Sequence, residues 1–288
     1  MKTSSVPKPM QATAENPWWV SPNHLKEWDK CPKQFYYKTV LGQRWLSNER
    51  NFELGKAVHA LMDLEAKGLP YEHVLKTLSP NIQAHFNALQ ADSIAQAPIV
   101  ASEYAFYVPF QATIFPHVKL TGRIDRLSMV DNTLSIIDWK TGTAVPQDYQ
   151  NAWQTRLYAY ALWQILTHQP NLLQNLLSSA PAWKPSQGLA FYYVDVRLYR
   201  QPHVKAYRVA IDEGYIRETE ALLSQRLHAI LAETQFPLPK ACPDQYCPFS
   251  KVCGILPEST EQLALFALPQ ASVLESRAEE EENPLDLF

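Results

Sequence analysis

The chain has 288 residues, 46% hydrophobic and 11% aromatic, enough to bury a sizeable core in one large domain or two closely packed ones. No apolar run approaches the roughly 20 residues that span a bilayer, and the N-terminus lacks a basic-then-apolar leader, so a cytoplasmic protein is expected. The net charge of −3 hides an uneven spread: residues 275–288 hold six acids and one arginine, leaving 25 basic against 23 acidic residues elsewhere, a mild balance that permits a local basic groove.

Residues 1–16 are polar and proline-bearing, and are expected to be disordered. Ser21-Pro22 offers an N-cap and a helix-start proline, predicting a helix that carries Leu25, Trp28 and Cys31. Leu54, Val58, Leu61 and Leu64 recur at helical spacing, so Phe52 to Lys67 reads as a second helix with Gly55 and His59 on one face. A helical insert is expected over about residues 71–95. Glu103 to Phe110 alternates like a strand, with Tyr104, Phe106 and Val108 on one side. A hairpin follows, and Pro146-Gln147 then opens a helix to about His168 that stacks Gln154 and Tyr158 at i,i+4. Strands at 189–198 and 204–211, a helix from Asp212 to about Glu233 and an extended Phe236-Pro-Leu-Pro connector complete the order. Strands between flanking helices imply an α/β domain with a central mixed sheet covered on both faces.

The hairpin is the most informative segment. Asp131-Asn132 tolerates positive φ and suits a two-residue loop between Thr121–Val130 and Thr133–Thr141, although the usual glycine at the second place is missing. Val130 then faces Thr133, Asp125 faces Asp138 and Arg123 faces Lys140. Like charges in that relation destabilise a sheet, and a divalent cation bound by oxygen ligands beside Lys140 would neutralise them. If the acids merely faced water, the whole face would be polar. Yet it carries Leu127, Met129, Leu134 and Ile136, while Ile124, Val130, Ile137 and Trp139 are expected on the other. Buried paired carboxylates without a counter-ion are costly, which favours the metal.

Four cysteines are present: Cys31 far upstream, and Cys242, Cys247 and Cys253 within twelve residues of one another. In a reducing compartment such clustering argues for a metal or iron–sulfur centre over disulfides. Zinc, one cubane cluster, two disulfides or small buried thiols all remain compatible with the count.

The runs GRIDR (Gly122 to Arg126) and DWKTG (Asp138 to Gly142) resemble the core of the PD-(D/E)XK nucleases, in particular the RecB-type branch, with Ile124 where the proline of the name often stands. GKAVH (Gly55 to His59) resembles that branch's upstream G-x-x-x-H, and QTRLY (Gln154 to Tyr158) its downstream Q-x-x-x-Y. Ser21 to Gly42 is similar to the opening helix of AddB-like and CRISPR-adaptation nucleases. The similarity spans roughly Ser21 to Gly254. It implies a restriction-endonuclease-like core over residues 17–256, with the insert at about 71–95, and a flexible acidic tail over 257–288.

The resemblance further implies metal-assisted phosphodiester hydrolysis, exonuclease-like, in DNA repair or recombination. Asp125 and Asp138 would hold Mg²⁺ or Mn²⁺, with His59 and the Trp139 backbone carbonyl completing the shell. Lys140 projects from the same sheet face as Asp138 and would orient or deprotonate the attacking water, or form a plain salt bridge. Glu103 would add a supporting or a ligand oxygen, and Arg123, Gln154 and Tyr158 would support the site or contact DNA; a packing histidine, an exposed strand acid and a polar helix patch are the plainer alternatives. Arg126 and Arg156 also flank the motifs, but Arg126 should point to the face opposite Asp125. The resemblance implies a 4Fe–4S cluster on Cys31, Cys242, Cys247 and Cys253 that clasps the first helix to the last segment, with the Cys242–Cys247 interval two residues longer than is common. No phosphate loop of the G-x-x-x-x-G-K-[ST] type occurs, so the protein would need a helicase partner to unwind duplex, or would start from single-stranded DNA or ends. In the tail, Gln262, Leu263, Leu265 and Phe266 resemble the short peptide that binds the bacterial sliding clamp, and Pro284 to Phe288 is a poorer copy. A non-catalytic nucleic-acid-binding subunit of a helicase–nuclease or CRISPR-adaptation complex is the alternative role.

Overall fold

The computed structural model describes residues 9–43, 50–141, 145–169, 171, 183–198, 202–238, 247, 249 and 253. The chain divides into two compact units, Met1–Pro243 and Asp244–Phe288. Strands β1 (Trp18–Val20), β2 (Ile99–Pro109), β3 (Val118–Val130), β4 (Thr133–Lys140), β5 (Leu189–Leu198) and β6 (Pro202–Ile211) form one mixed sheet in the first unit. The described helices there are α1 (Pro22–Lys30), α2 (Pro32–Phe35, continued by a π turn over Tyr36–Val40), α3 (Arg50–Ala66), α4 (Glu72–Thr77), α5 (Pro80–Gln90), α6 (Trp153–His168) and α7 (Glu213–Ala232). None of the described helices is long and apolar enough to cross a membrane.

Two apolar layers cover the sheet. Leu157, Leu162, Leu223 and Leu227 from α6 and α7, with Leu25, Trp28 and Phe35 from α1 and α2, pack on Ile124, Leu127, Leu134 and Ile136. On the other side Val58, Leu61, Phe86 and Leu89 from α3 and α5 pack on Ile137, Trp139, Tyr192 and Val194. The mixed sheet between two helical layers is therefore as expected.

Several local expectations change. Cys31 is not inside a helix: it ends α1 and caps α2 with extended backbone, its Sγ accepting from Gln34 N–H at 3.4 Å, because Pro32 disfavours helix at the residue before it. Helix α6 starts at Trp153 and not at Pro146, since residues 147–151 form turns pinned by Asn151 on the Asp148 carboxylate. In the segment expected to be disordered, Pro9–Gln11 form a 3-10 turn and Pro9 is buried.

The hairpin loop is as read. Asp131 and Asn132 both have positive φ, 48° and 61°, and Val130 faces Thr133. β3 is the backbone of the sheet. One of its edges pairs with β2 from Lys119 to Ser128, while the opposite edge pairs with β1 at residues 118–120 and with β4 only from Arg126 onward. Residues 121–125 of that second edge thus lie in a gap between β1 and β4.

Alternation along β3 is not straight. Ile124 and Leu127 belong to the same apolar layer although three positions apart, and on β2 Ala101 and Tyr104 do likewise. Both strands slip at the same level, so the register is unchanged on either side: Ser102 faces Arg126 and Tyr104 faces Ile124. This corrects the placement of Ile124 with Ile137 and Trp139.

Arg126, just past the slip, points into the α3 layer and is fully buried. Its guanidinium donates to Ala95 O and Met62 O, both at 2.9 Å, and to Glu65 Oε2 at 2.6 Å, and lies 5.3 Å from the Trp139 ring. Arg156 is equally structural, bound to Asn151, Glu218 and Thr219. Removing a buried, paired charge strands its partners. Arg126→Ala should lower unfolding free energy by about 3–5 kcal/mol in urea titrations; a loss under about 1 kcal/mol would show that the guanidinium does not hold α3 to the sheet.

Candidate active site

The slip in β2 falls at Glu103, whose φ of 49° is uncommon for a residue with a side chain. The flanking pairs put Glu103 level with Asp125, and neither residue makes a ladder pair. The β3–β4 register carries Asp125 to the level of Asp138, but its last pair is Arg126 with Ile137. In place of the next ladder bond, the Asp125 carboxylate accepts the Trp139 N–H at 2.9 Å. Three acids, one per strand, therefore stand in a row where the sheet opens.

Each acid has its own cation. Arg123 lies 3.3 Å from Glu103 Oε2, His59 Nδ1 lies 3.5 Å from Asp125 Oδ2, and Lys140 Nζ lies 2.6 Å from Asp138 Oδ2. The second nitrogen of His59 is 3.0 Å from the Trp139 carbonyl oxygen. Burial works against a charged His59 imidazole. The hydrogen bond and charge of Asp125, the charge of Asp138 and the Trp139 carbonyl outweigh it and raise the pKa to about 9. Burial, then the Asp125 charge, holds the Asp138 carboxyl above the usual carboxylate range despite Lys140. Glu103 is raised as well, by burial first and Asp125 second.

Helix α6 supports the row from the opposite side to α3. Gln154 donates to Asp138 Oδ1 through its amide nitrogen and accepts from Lys140 Nζ at 3.1 Å, so one side chain fixes both the acid and the amine. The Lys140 ammonium also lies 5.3 Å from the centre of the Tyr193 ring. Tyr158, one turn beyond Gln154, packs edge-on against Phe106 at 5.3 Å. A Cβ on Gly122 would stand 2.5 Å from the Tyr158 ring and 2.7 Å from that of Phe106. The glycine of GRIDR thus lets the α6 tyrosine reach β3 at the gap. Burial, followed by the nearby Asp138 charge, raises the Tyr158 phenol to about 12.

A pair absent from the sequence reading completes the supports. Ser102 Oγ donates to Asp63 Oδ1 at 2.7 Å and lies 3.4 Å from Asp125 O. Asp63 follows His59 by one helical turn, so α3 delivers the imidazole and also pins the slip between β2 and β3. That i,i+4 spacing was its only signal in the sequence.

Ligand atoms of His59, Glu103 and Asp125 lie within 4.8 Å of one another. Imidazole nitrogen, carboxylate oxygens and the adjacent Trp139 carbonyl form a hard, mixed N/O donor set that fits Mg²⁺ or Mn²⁺. Asp138 stands beside this group, turned toward Lys140 and Gln154. Of the two roles read for Glu103, this grouping matches a ligand oxygen. Cys242, Gly142, Gln262, Leu263, Leu265 and Phe266 lie outside the described residues.

The model of the PD-(D/E)XK nuclease superfamily matches residues 19–254. The chain belongs to that superfamily. Nucleases of the superfamily are metal-dependent phosphodiesterases, which agrees with the donor set above. Among solved structures, a protein from Eubacterium rectale, described provisionally as an exonuclease, is 11% identical with a TM-score of 0.49, covering 85% of this chain and 92% of its own. The protein SSO0001 is 13% identical with a TM-score of 0.36, covering 83% and 87%. No curated protein matches the chain.

Proposed function

We propose that the protein is a metal-dependent deoxyribonuclease, exonuclease-like, acting in DNA repair or recombination. The observation that carries this reading is the row Glu103, Asp125 and Asp138 at the open edge of β3, with His59 on one side and Lys140 on the other. Bound there, Mg²⁺ or Mn²⁺ would offset charge on the scissile phosphate and lower the pKa of a coordinated water. Asp125, Asp138, Glu103, His59 and the Trp139 carbonyl are the ligands assigned to it. Lys140, paired with Asp138 and donating to Gln154, orients the attacking water. Tyr158 closes the α6 side, and Arg123 is placed to meet phosphate oxygens.

The same proposal places the chain in the RecB/AddB-type branch with a 4Fe–4S cluster on Cys31, Cys242, Cys247 and Cys253. Support comes from the order of the four thiols and the final five-residue gap. Cys31 is buried at the α1–α2 break, Cys247 is buried, and Cys253 N–H bonds to Phe249 O at 2.9 Å. Within the first unit, Phe236 packs on Trp28, Phe35 and Tyr36, on the helices either side of Cys31. The proposed partners are DNA, a helicase, and a sliding clamp docked on Gln262, Leu263, Leu265 and Phe266, all in the cytoplasm.

Asp138→Ala should cut hydrolysis of end-labelled DNA by several orders of magnitude, as should chelation of divalent ions, while metal-free DNA binding persists. A wild-type protein that cuts with neither Mg²⁺ nor Mn²⁺ would instead fit a non-catalytic binding subunit. Purified without oxygen, the protein should be brown with about four irons per chain, and Cys31→Ser should lose the colour; colourless protein holding zinc would refute the cluster and leave the nuclease intact. Deleting residues 258–288 should abolish clamp binding with cutting unchanged, and a truncated chain that still pulls down the clamp would refute the tail assignment.

A further inference from the structure

The face of β2 and β3 that turns away from α6 carries an aromatic and cationic strip leading out of the site. Beyond the slip, Phe106, Val108 and Phe110 turn into the core, whereas Ala105, Tyr107 and Pro109 are exposed. Tyr107 keeps 65% of its surface accessible. It meets Trp19 of β1 edge-on at 5.2 Å, and Lys119 of β3 lies 5.1 Å over the Trp19 ring. Between this group and the acids stands Arg123, 68% exposed and bonded to Glu103 at 3.3 Å.

We propose that this strip is the path of a single DNA strand entering the active site, with a base stacked on Tyr107 and Trp19 and its phosphates met by Lys119 and Arg123. The inference rests on the nuclease reading and adds the residues that receive a single strand and its direction of approach. Three observations favour this occupant. The strip is continuous with the site through the Arg123–Glu103 contact. Its charges are both positive, complementary to a phosphate chain. It also alternates ring and cation, the combination that binds single strands without regard to sequence, because every base has a π face. A duplex hides those faces. At about 3.3 Å per residue, Tyr107 lies roughly 13 Å along β2 from Glu103, about four stacked nucleotides from the acids. The Arg123–Glu103 contact further suggests that a phosphate arriving at Arg123 draws the guanidinium off the acid and leaves Glu103 open to the cation.

The test uses the full chain and a labelled 12-nucleotide single strand of mixed sequence with Ca²⁺ as the divalent ion, alongside the matching duplex, at several salt concentrations. Cleavage of the same strand with Mg²⁺ or Mn²⁺ is assayed separately. Tyr107→Ala should weaken single-strand binding roughly 5- to 100-fold and duplex binding much less. Tyr107→Phe should restore it, since the ring and not the hydroxyl stacks. Lys119→Ala should reduce the salt slope by about one phosphate contact. Unchanged single-strand affinity in Tyr107→Ala would overturn the proposal, including the case in which the strip docks another protein. Equal losses for strand and duplex would overturn it too. Wild type that cuts while Tyr107→Ala binds normally sinks the strip alone; wild type that cuts nothing sinks the nuclease reading beneath it.

Discussion

A row of three carboxylates inside a sheet can persist only if the ladder gives way at that level and each charge finds an opposite within reach. Both conditions hold here. Glu103 and Asp125 sit at matched slips in adjacent strands, Asp125 replaces a ladder bond by accepting the Trp139 N–H, and Asp138 is the first β4 residue beyond the last β3–β4 pair, Arg126 with Ile137. Arg123, His59 and Lys140 supply the three cations. The rest of the fold brings these groups together from different elements: α3 lies on one face with His59, α6 on the other with Gln154 and Tyr158.

The slip also separates roles that the sequence runs together. In GRIDR the glycine makes room for Tyr158, the first arginine meets Glu103 at the surface, the aspartate faces the site and the second arginine locks α3 to the sheet. Without the break in alternation Asp125 and its neighbours would follow a plain two-residue period. The strain accepted at Glu103 is held by Ser102 on Asp63, a bond that originates in the same helix as His59. Local backbone strain concentrated beside the reactive groups is a recurrent feature of working sites.

Much of this was legible in the sequence. The two-residue loop at Asp131-Asn132 determined the register of the hairpin, and through it the approach of Asp125 to Asp138. Helical spacing put His59 on the Gly55 face and Tyr158 beside Gln154. Less was legible where tertiary contacts overrule a local pattern. Ile124 looked as if it shared a face with Ile137 because strand period was extended through a slip that no side chain announces. Helix α6 seemed to begin at Pro146 because a proline suits a first turn, whereas Asn151 and Asp148 favour tight turns there. Glu103 was visible as an acid on a strand, but its place level with Asp125 depends on β2–β3 pairing, which has no tight turn to fix it.

Every catalytic role proposed above depends on the open edge of β3 being a cation site built by Glu103, Asp125, Asp138, His59 and the Trp139 carbonyl. Crystals grown with Mn²⁺ and measured for anomalous scattering test it directly. The account predicts a manganese peak within ligand distance, about 2.0–2.6 Å by analogy with other divalent ions, of the Asp125 carboxylate and the Trp139 oxygen, with the His59 ring turned onto the metal. A peak confined to other acids, or His59 still bridging Asp125 and Trp139 at saturating Mn²⁺, would contradict it.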